Sequence, residues 1–135
     1  MDYSPLARLK TPLANKFYAS EKARAKARNN ELIWVAKFQH TIVACAKLSP
    51  VDNHWLLTGV HVCSAYRQQG IAQRLITLLC QEQPIIYTFA LSHLASFYQH
   101  LGFQHIKPQQ LPCELAQRFN AYLKQGRKII VMIKE

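Results

Sequence analysis

Acidic side chains are the scarcest chemical class in this chain. Only seven (Asp2, Glu21, Glu31, Asp52, Glu82, Glu114 and Glu135) stand against seventeen Lys and Arg in 135 residues, a net charge of +10. So few carboxylates cannot easily line a pocket for a polycation, which argues against polyamine ligands, and the field of the whole molecule favours anionic ones. Glycine is also sparse, at four, and half of the residues are hydrophobic, so disorder and low complexity are excluded. The four cysteines (Cys45, Cys63, Cys80 and Cys113) are widely spaced and form no CxxC pair. That pattern excludes a zinc knuckle and a dithiol redox site, and leaves reduced, mostly buried thiols as the expectation. His93, His100 and His105 lack zinc-site spacing and read as surface or helix-cap residues, so no metal is implied. No apolar run approaches the roughly 20 residues of a membrane span, and MDYSPLARLK lacks the apolar core of a signal peptide. The expectation is a soluble cytoplasmic protein, with residues 1–135 forming one domain.

What is present orders itself along the chain. Thr11 and Pro12 mark a helix start, and an apolar stripe from Leu13 and Phe17 runs into EKARAKARNN, which predicts a first helix ending near Asn29 and Asn30. LIWVAKF, TIVACAKL and HWLLTGVHV, separated by QH and PVDN turns, predict an antiparallel meander of three strands. Ile71, Leu75, Leu78 and Leu79 define an amphipathic helix closed by Pro84. PIIYTFAL follows as a strand, then a helix with Leu94, Phe97, Tyr98 and Leu101 on one face and Gly102 as its stop. FQHI is a short strand, a further helix runs from Pro112 to Gly126, and KIIVMIK closes the order. The sum is an α/β protein with a mixed sheet and helices on both faces.

One segment carries chemistry on its own terms. In VHVCSAYRQQGIA, Val60 to Ala72, an apolar strand enters a Gly-bearing turn and a helix begins at once. Unpaired backbone N–H groups and the positive end of the helix dipole then point the same way, which makes an anion site. Arg67 adds a cationic fork, and Gln69, Gly70, Ile71 and Ala72 add N–H groups; a side chain at Gly70 would crowd a phosphate. An ordinary strand-to-helix turn remains the alternative.

RQQGIA resembles the RxxGxG/A pyrophosphate loop of the GNAT acetyltransferase superfamily, with Ala72 where the family often has glycine. A second match, AxxFYxxLGF from Ala95 to Phe103, resembles the family's helix bearing a tyrosine before a glycine-phenylalanine turn. The order of elements also follows the family, so the resemblance covers roughly the whole chain. It implies the GNAT fold, with a mostly antiparallel central sheet, and transfer of acetyl from acetyl-CoA to a primary amine by direct attack in a ternary complex. It further implies that Arg67, Gln68, Gln69, Gly70, Ile71 and Ala72 hold the pyrophosphate. The main chain of Val60 to Val62 would bind the pantetheine arm, with the Val62 N–H as oxyanion donor. Tyr98 takes the position of the general acid that protonates the departing thiol, although it also reads as a core aromatic. Ser92 stands where many relatives contact the cofactor arm, and equally reads as a helix N-cap.

The acceptor side is less well marked. Many superfamily members deprotonate the amine with a glutamate on the strand before the loop, and LLTGVHV has no carboxylate. His61, His54 and Glu31 are the nearest titratable candidates; His61, alternating with Val60 and Val62, lies on the opposite sheet face from them. A structural or surface histidine is the alternative at that position. Lys22, Arg24, Lys26 and Arg28 form a basic face on the predicted first helix that would steer an anionic acceptor, or simply stay solvated. No Cys-His relay is evident, which disfavours an acyl-enzyme route. The resemblance implies a small-molecule or peptide amine and allows a homodimer, and the positive charge permits, without selecting, an anionic or RNA-borne acceptor. A non-catalytic module that binds coenzyme A or nucleic acid is the competing function.

Overall fold

Backbone pairing and side-chain periodicity settle the elements of the computed structural model, which describes residues 1–135. It contains seven strands, mostly antiparallel, and four α-helices, which is the mixed α/β class expected. The chain divides into two compact units, residues 1–49 with 57–82, and residues 50–56 with 83–135.

The first unit is built from β1 (Asp2–Pro5), α1 (Thr11–Ser20), β2 (Leu32–Phe38), most of β3 (Thr41–Val51) and of β4 (His54–Val62), and α2 (Ile71–Cys80), with its strands in the order β1-β2-β3-β4. β2 and β3 pair antiparallel from Leu32↔Leu48 to Phe38↔Thr41. Their two-residue turn, Gln39–His40, has positive φ at both positions (50° and 71°), the twist that suits a tight hairpin. β1 is an addition to the expected strands. It pairs antiparallel with β2 (Asp2↔Lys37 to Pro5↔Trp34), and DYSP has neither alternation nor β-branched residues to announce it. α2 buries Ile71, Leu75, Ile76 and Leu79 and packs on β2.

The first helix is shorter than expected. It stops at Ser20, ten residues before Asn30, although Ala, Lys and Arg are all good helix formers. A left-handed cap ends it: Lys22 has φ 55°, the Lys22 N–H bonds the Ala19 carbonyl and the Ala23 N–H bonds the Tyr18 carbonyl. From there burial alternates residue by residue. Ala23, Ala25 and Ala27 pack on the cluster of Phe17, Tyr18, Ile33, Val35 and Cys45, while Lys22, Arg24, Lys26 and Arg28 are exposed. The Asn15 side chain clamps this strap to α1, accepting from the Ala27 N–H at 2.7 Å and donating to the Ala27 carbonyl at 3.0 Å. Tertiary packing of small alanines outweighs helix propensity here, so the basic residues do not form a helical face.

The second unit contains β5 (Ile86–Leu91), α3 (Ala95–His100), β6 (Gln104–His105), α4 (Cys113–Lys124) and β7 (Ile129–Lys134), with strand order β5-β7-β6. β5 pairs antiparallel with β7 from Ile86↔Lys134 to Leu91↔Ile129. Its core joins Val51, Leu56, Tyr87, Leu111, Leu115, Phe119 and Val131. α3 and α4 both end at glycines with positive φ, Gly102 and Gly126. In each, the residue after the glycine bonds back to the helix and packs on its bonding partner: Phe103 on Tyr98, and the Arg127 guanidinium 4.1 Å from the centre of the Tyr122 ring. All four cysteines are free thiols, with Cys45 and Cys80 buried, Cys63 half-buried and Cys113 exposed.

Candidate active site

β4 carries the candidate site, and it contains a left-handed residue three positions before its end. Gly59 has φ +66°, and a Cβ there would lie 2.7 Å from the Tyr18 hydroxyl and 3.0 Å from Cε of Lys47. The Tyr18 hydroxyl donates to the Gly59 carbonyl at 2.6 Å. Burial pushes the Tyr18 phenol far above its ordinary range, with the neighbouring Cys45 thiol adding to the shift, so it remains a donor. Beside it, Glu31 accepts from Lys47 Nζ at 2.6 Å and from the Ser49 hydroxyl, and both charged side chains are more than nine-tenths buried. A carboxylate so committed is a structural ion pair. Glu31 is therefore not poised as a base.

Beyond Gly59, His61 points to the α1 side, as its alternation with Val60 and Val62 requires. Its Nε2 lies 3.1 Å from Oε1 of Glu21, and its ring meets Phe17 edge-on at 5.8 Å. Both side chains are about one-fifth exposed. Glu21 also lines an open pocket of about 420 Å³ with Phe17, Ser20, Cys63 and Tyr66. The structure thus supplies a carboxylate that β4 lacks. Sequence reasoning missed Glu21 because forty residues separate it from its partner. The one available signal was its place at the helix end, obscured by extending that helix to Asn30. His54, the other histidine considered, packs edge-on against Tyr87 in the second unit.

After β4 the chain makes a short turn, and the Arg67 Nε donates to the Val62 carbonyl at 3.0 Å, tying the loop to the strand. Gln68 and Gly70 both adopt positive φ (62° and 78°), and α2 begins at Ile71. The first bond of the helix runs from the Arg74 N–H to the Gly70 carbonyl, and no side chain caps the turn before it. The N–H groups of Ile71 and Ala72 therefore face outward without an intrahelical partner. A Cβ on Gly70 would meet nothing within 4 Å, and Arg67 to Gly70 are exposed. This open, donor-lined cradle fits an anionic pyrophosphate.

In the second unit, Tyr98 sits in α3 with its ring buried between Phe97 and Phe103, at centroid distances of 5.1 and 5.5 Å. Lys134 Nζ donates to the Leu101 carbonyl at 2.7 Å and closes the helix end. Ser92 is not the cap of α3. Leu94 holds that position without a side-chain bond, and the Ser92 N–H and hydroxyl both turn to the Lys128 carbonyl, at 3.0 and 3.4 Å. His93, His100 and His105 are exposed, and no three His, Cys, Asp or Glu side chains converge.

The model of the acetyltransferase (GNAT) domain matches residues 29–105. This chain belongs to the GNAT acetyltransferase family. No match is found among curated protein sequences. Solved structures share its fold. ElaA from Escherichia coli is 16% identical, with 100% of each chain covered and a TM-score of 0.70. Rv2747 from Mycobacterium tuberculosis, solved in complex with CoA, is 14% identical over 99% of this chain and 98% of its own, with a TM-score of 0.73. N-acetylglutamate synthase from Neisseria gonorrhoeae, complexed with coenzyme A and N-acetyl-glutamate, is 12% identical with a TM-score of 0.70. There the match covers 99% of this GNAT chain but 35% of the synthase, so the chain spans about a third of that protein's length.

Proposed function

We propose that this GNAT protein, acting as one domain across residues 1–135, is an acetyl-CoA-dependent N-acetyltransferase that acetylates a primary amine by direct attack in a ternary complex. The observation that carries the reading is the donor-lined turn from Arg67 to Ala72, uncapped at the start of α2 within a GNAT-family chain. Its N–H groups would hold the pyrophosphate, and the main chain of Val60 to Val62 would hold the pantetheine arm. Acetyl-CoA, when bound, supplies a thioester carbonyl open to nucleophiles.

The protein's own groups then divide the proton work. His61, oriented by Glu21 at 3.1 Å, takes a proton from the incoming ammonium. The freed amine forms a C–N bond to the acetyl carbon while the C–S bond breaks, and the Val62 N–H stabilises charge developing on the carbonyl oxygen. Tyr98 gives its proton to the departing sulfur and recovers one from the new amide through solvent. Rv2747 and N-acetylglutamate synthase each bind coenzyme A, the synthase together with N-acetyl-glutamate, which supports the cofactor class. Calorimetric titration with acetyl-CoA, dephospho-coenzyme A and free pantetheine tests the reading. Micromolar binding that requires the pyrophosphate, followed by amine-dependent thiol release, is expected. Folded protein that binds none of the three would overturn it and favour a nucleic-acid module instead.

A further inference from the structure

The strap between α1 and β2 presents a line of cations with nothing to neutralise them. Lys22, Arg24, Lys26 and Arg28 are all exposed, and neither ion pair of the molecule involves them. The acidic residues at the two ends are already engaged. Glu21 pairs with His61, and Glu31 binds Lys47 and Ser49 while its other oxygen accepts from the Arg28 N–H at 2.6 Å. The strap is also held in shape. The left-handed cap fixes its start, Asn15 clamps Ala27, and three alanines seat it on the core. An arrangement that keeps like charges on one side of a fixed backbone, without counter-charges, favours an external anion.

Geometry narrows the kind of anion. The six-residue interval from Lys22 to Arg28 spans at most about 20 Å, at roughly 3.3 Å per residue. A small carboxylate or single phosphate would touch one or two of the four cations, so the partner that uses them all is a linear polyanion. An extended polypeptide repeats its side chains on one side every second residue, and burial along the strap alternates with the same period, cations exposed and alanines inward, so carboxylates at alternate positions suit these cations. Single-stranded nucleic acid is the less suitable partner. From Glu21 to Glu31 the sequence has no aromatic residue on which a base can stack, and its inward side chains are alanines. The strap begins at Glu21, the carboxylate that both orients His61 and lines the open pocket.

We propose that the acceptor is an amine carried on an acidic polypeptide segment, whose alternate carboxylates dock along Lys22, Arg24, Lys26 and Arg28 and deliver the amine to His61 and Glu21. This inference rests on the acetyltransferase reading above. The test uses the full-length protein and labelled eight-residue peptides with a free N-terminus, bearing glutamate or glutamine at alternate positions, read by fluorescence anisotropy at low and high salt. The glutamate peptide is expected to bind at least about tenfold more tightly, to lose that advantage at high salt, and to be acetylated with a correspondingly lower KM. The quadruple variant Lys22→Gln, Arg24→Gln, Lys26→Gln, Arg28→Gln should abolish the preference while keeping the melting temperature and coenzyme A affinity of the parent. Equal binding and equal acetylation of the two peptides would overturn the docking proposal and leave the acetyltransferase reading standing. Strap-dependent binding without any acetyl transfer would overturn the acceptor assignment together with that reading. A single-stranded oligonucleotide of eight nucleotides binding more tightly than the glutamate peptide, through the same four residues, would replace the polypeptide by nucleic acid.

Discussion

Tyr98 and Gly70 carry separable tasks, and single substitutions distinguish them. Tyr98→Phe keeps the ring that packs between Phe97 and Phe103, so the fold should hold while the proton donor is lost. We expect kcat to fall by about 10²-fold with little change in acetyl-CoA affinity, because general acids contribute roughly 10²–10⁴; steady-state kinetics beside calorimetry reads both, and an unchanged kcat removes Tyr98 as the acid. At Gly70 a Cβ collides with nothing in the protein, so the cost of Gly70→Val to folding comes from φ +78° alone. Its larger effect should be on the ligand, since the new side chain enters the space in front of the amides of α2. Coenzyme A affinity is expected to drop at least about tenfold in a protein that still melts cooperatively, whereas free pantetheine, which has no pyrophosphate, should be unaffected. At this scale the sequence was informative wherever one local segment does the chemistry, as in RQQGIA. It was silent on Glu21, whose relevance to His61 arises only when α1 and β4 are packed together.

Among the elements, β4 depends on Gly59 more than its alternating pattern suggests. The backbone there is left-handed, and the Tyr18 hydroxyl and the Lys47 side chain crowd the position from the same side. Gly59→Ala therefore faces both an unfavourable φ and two close contacts, and should destabilise the protein by about 2–4 kcal/mol, seen as a lower urea midpoint at unchanged m-value. Tyr18→Phe removes the hydroxyl that a Cβ would strike, so adding it to Gly59→Ala should cost less than the sum of the two single changes; strict additivity would show that φ alone sets the penalty. The same contrast explains which elements were legible. β2 and β4 were placed to the residue because aromatic and β-branched runs bounded by turn formers leave little choice. β1 was invisible because four residues ending in proline hold no pattern, and pairing with an available edge of β2 makes the strand. The basic segment misled because two periods coexist in it. Its composition favours a helix, and its strict alternation of alanine with Lys or Arg favours an extended strap with one face inward. Asn15, which mimics a strand neighbour for Ala27, decides between them.

For the molecule as a whole, the buried Tyr18 and Cys45 make alkaline pH the condition under which stability should fail first through defined groups. Burial pushes the Cys45 thiol from 9.0 up to about 11, only partly offset by its hydrogen bond to Tyr18, and the Tyr18 phenol moves up further still. In the unfolded chain both revert to ordinary values and release their protons earlier. A group whose folded pKa is raised contributes stability that is complete below its unfolded value and is lost as pH rises through the folded one. For Cys45 that window runs from about pH 9 to 11, and a two-unit shift corresponds to about 3 kcal/mol. Tyr18 adds to the decline above about pH 10, its unfolded value. Urea denaturation from pH 7 to 11 should therefore show a flat midpoint up to about pH 9 and a progressive fall beyond it. Cys45→Ala lowers the plateau, because it leaves a small cavity at a fully buried site, but it should delay the onset of the fall by about one pH unit, to where Tyr18 alone acts. If the parent and Cys45→Ala lose stability in parallel from pH 9, the thiol is not the group responsible.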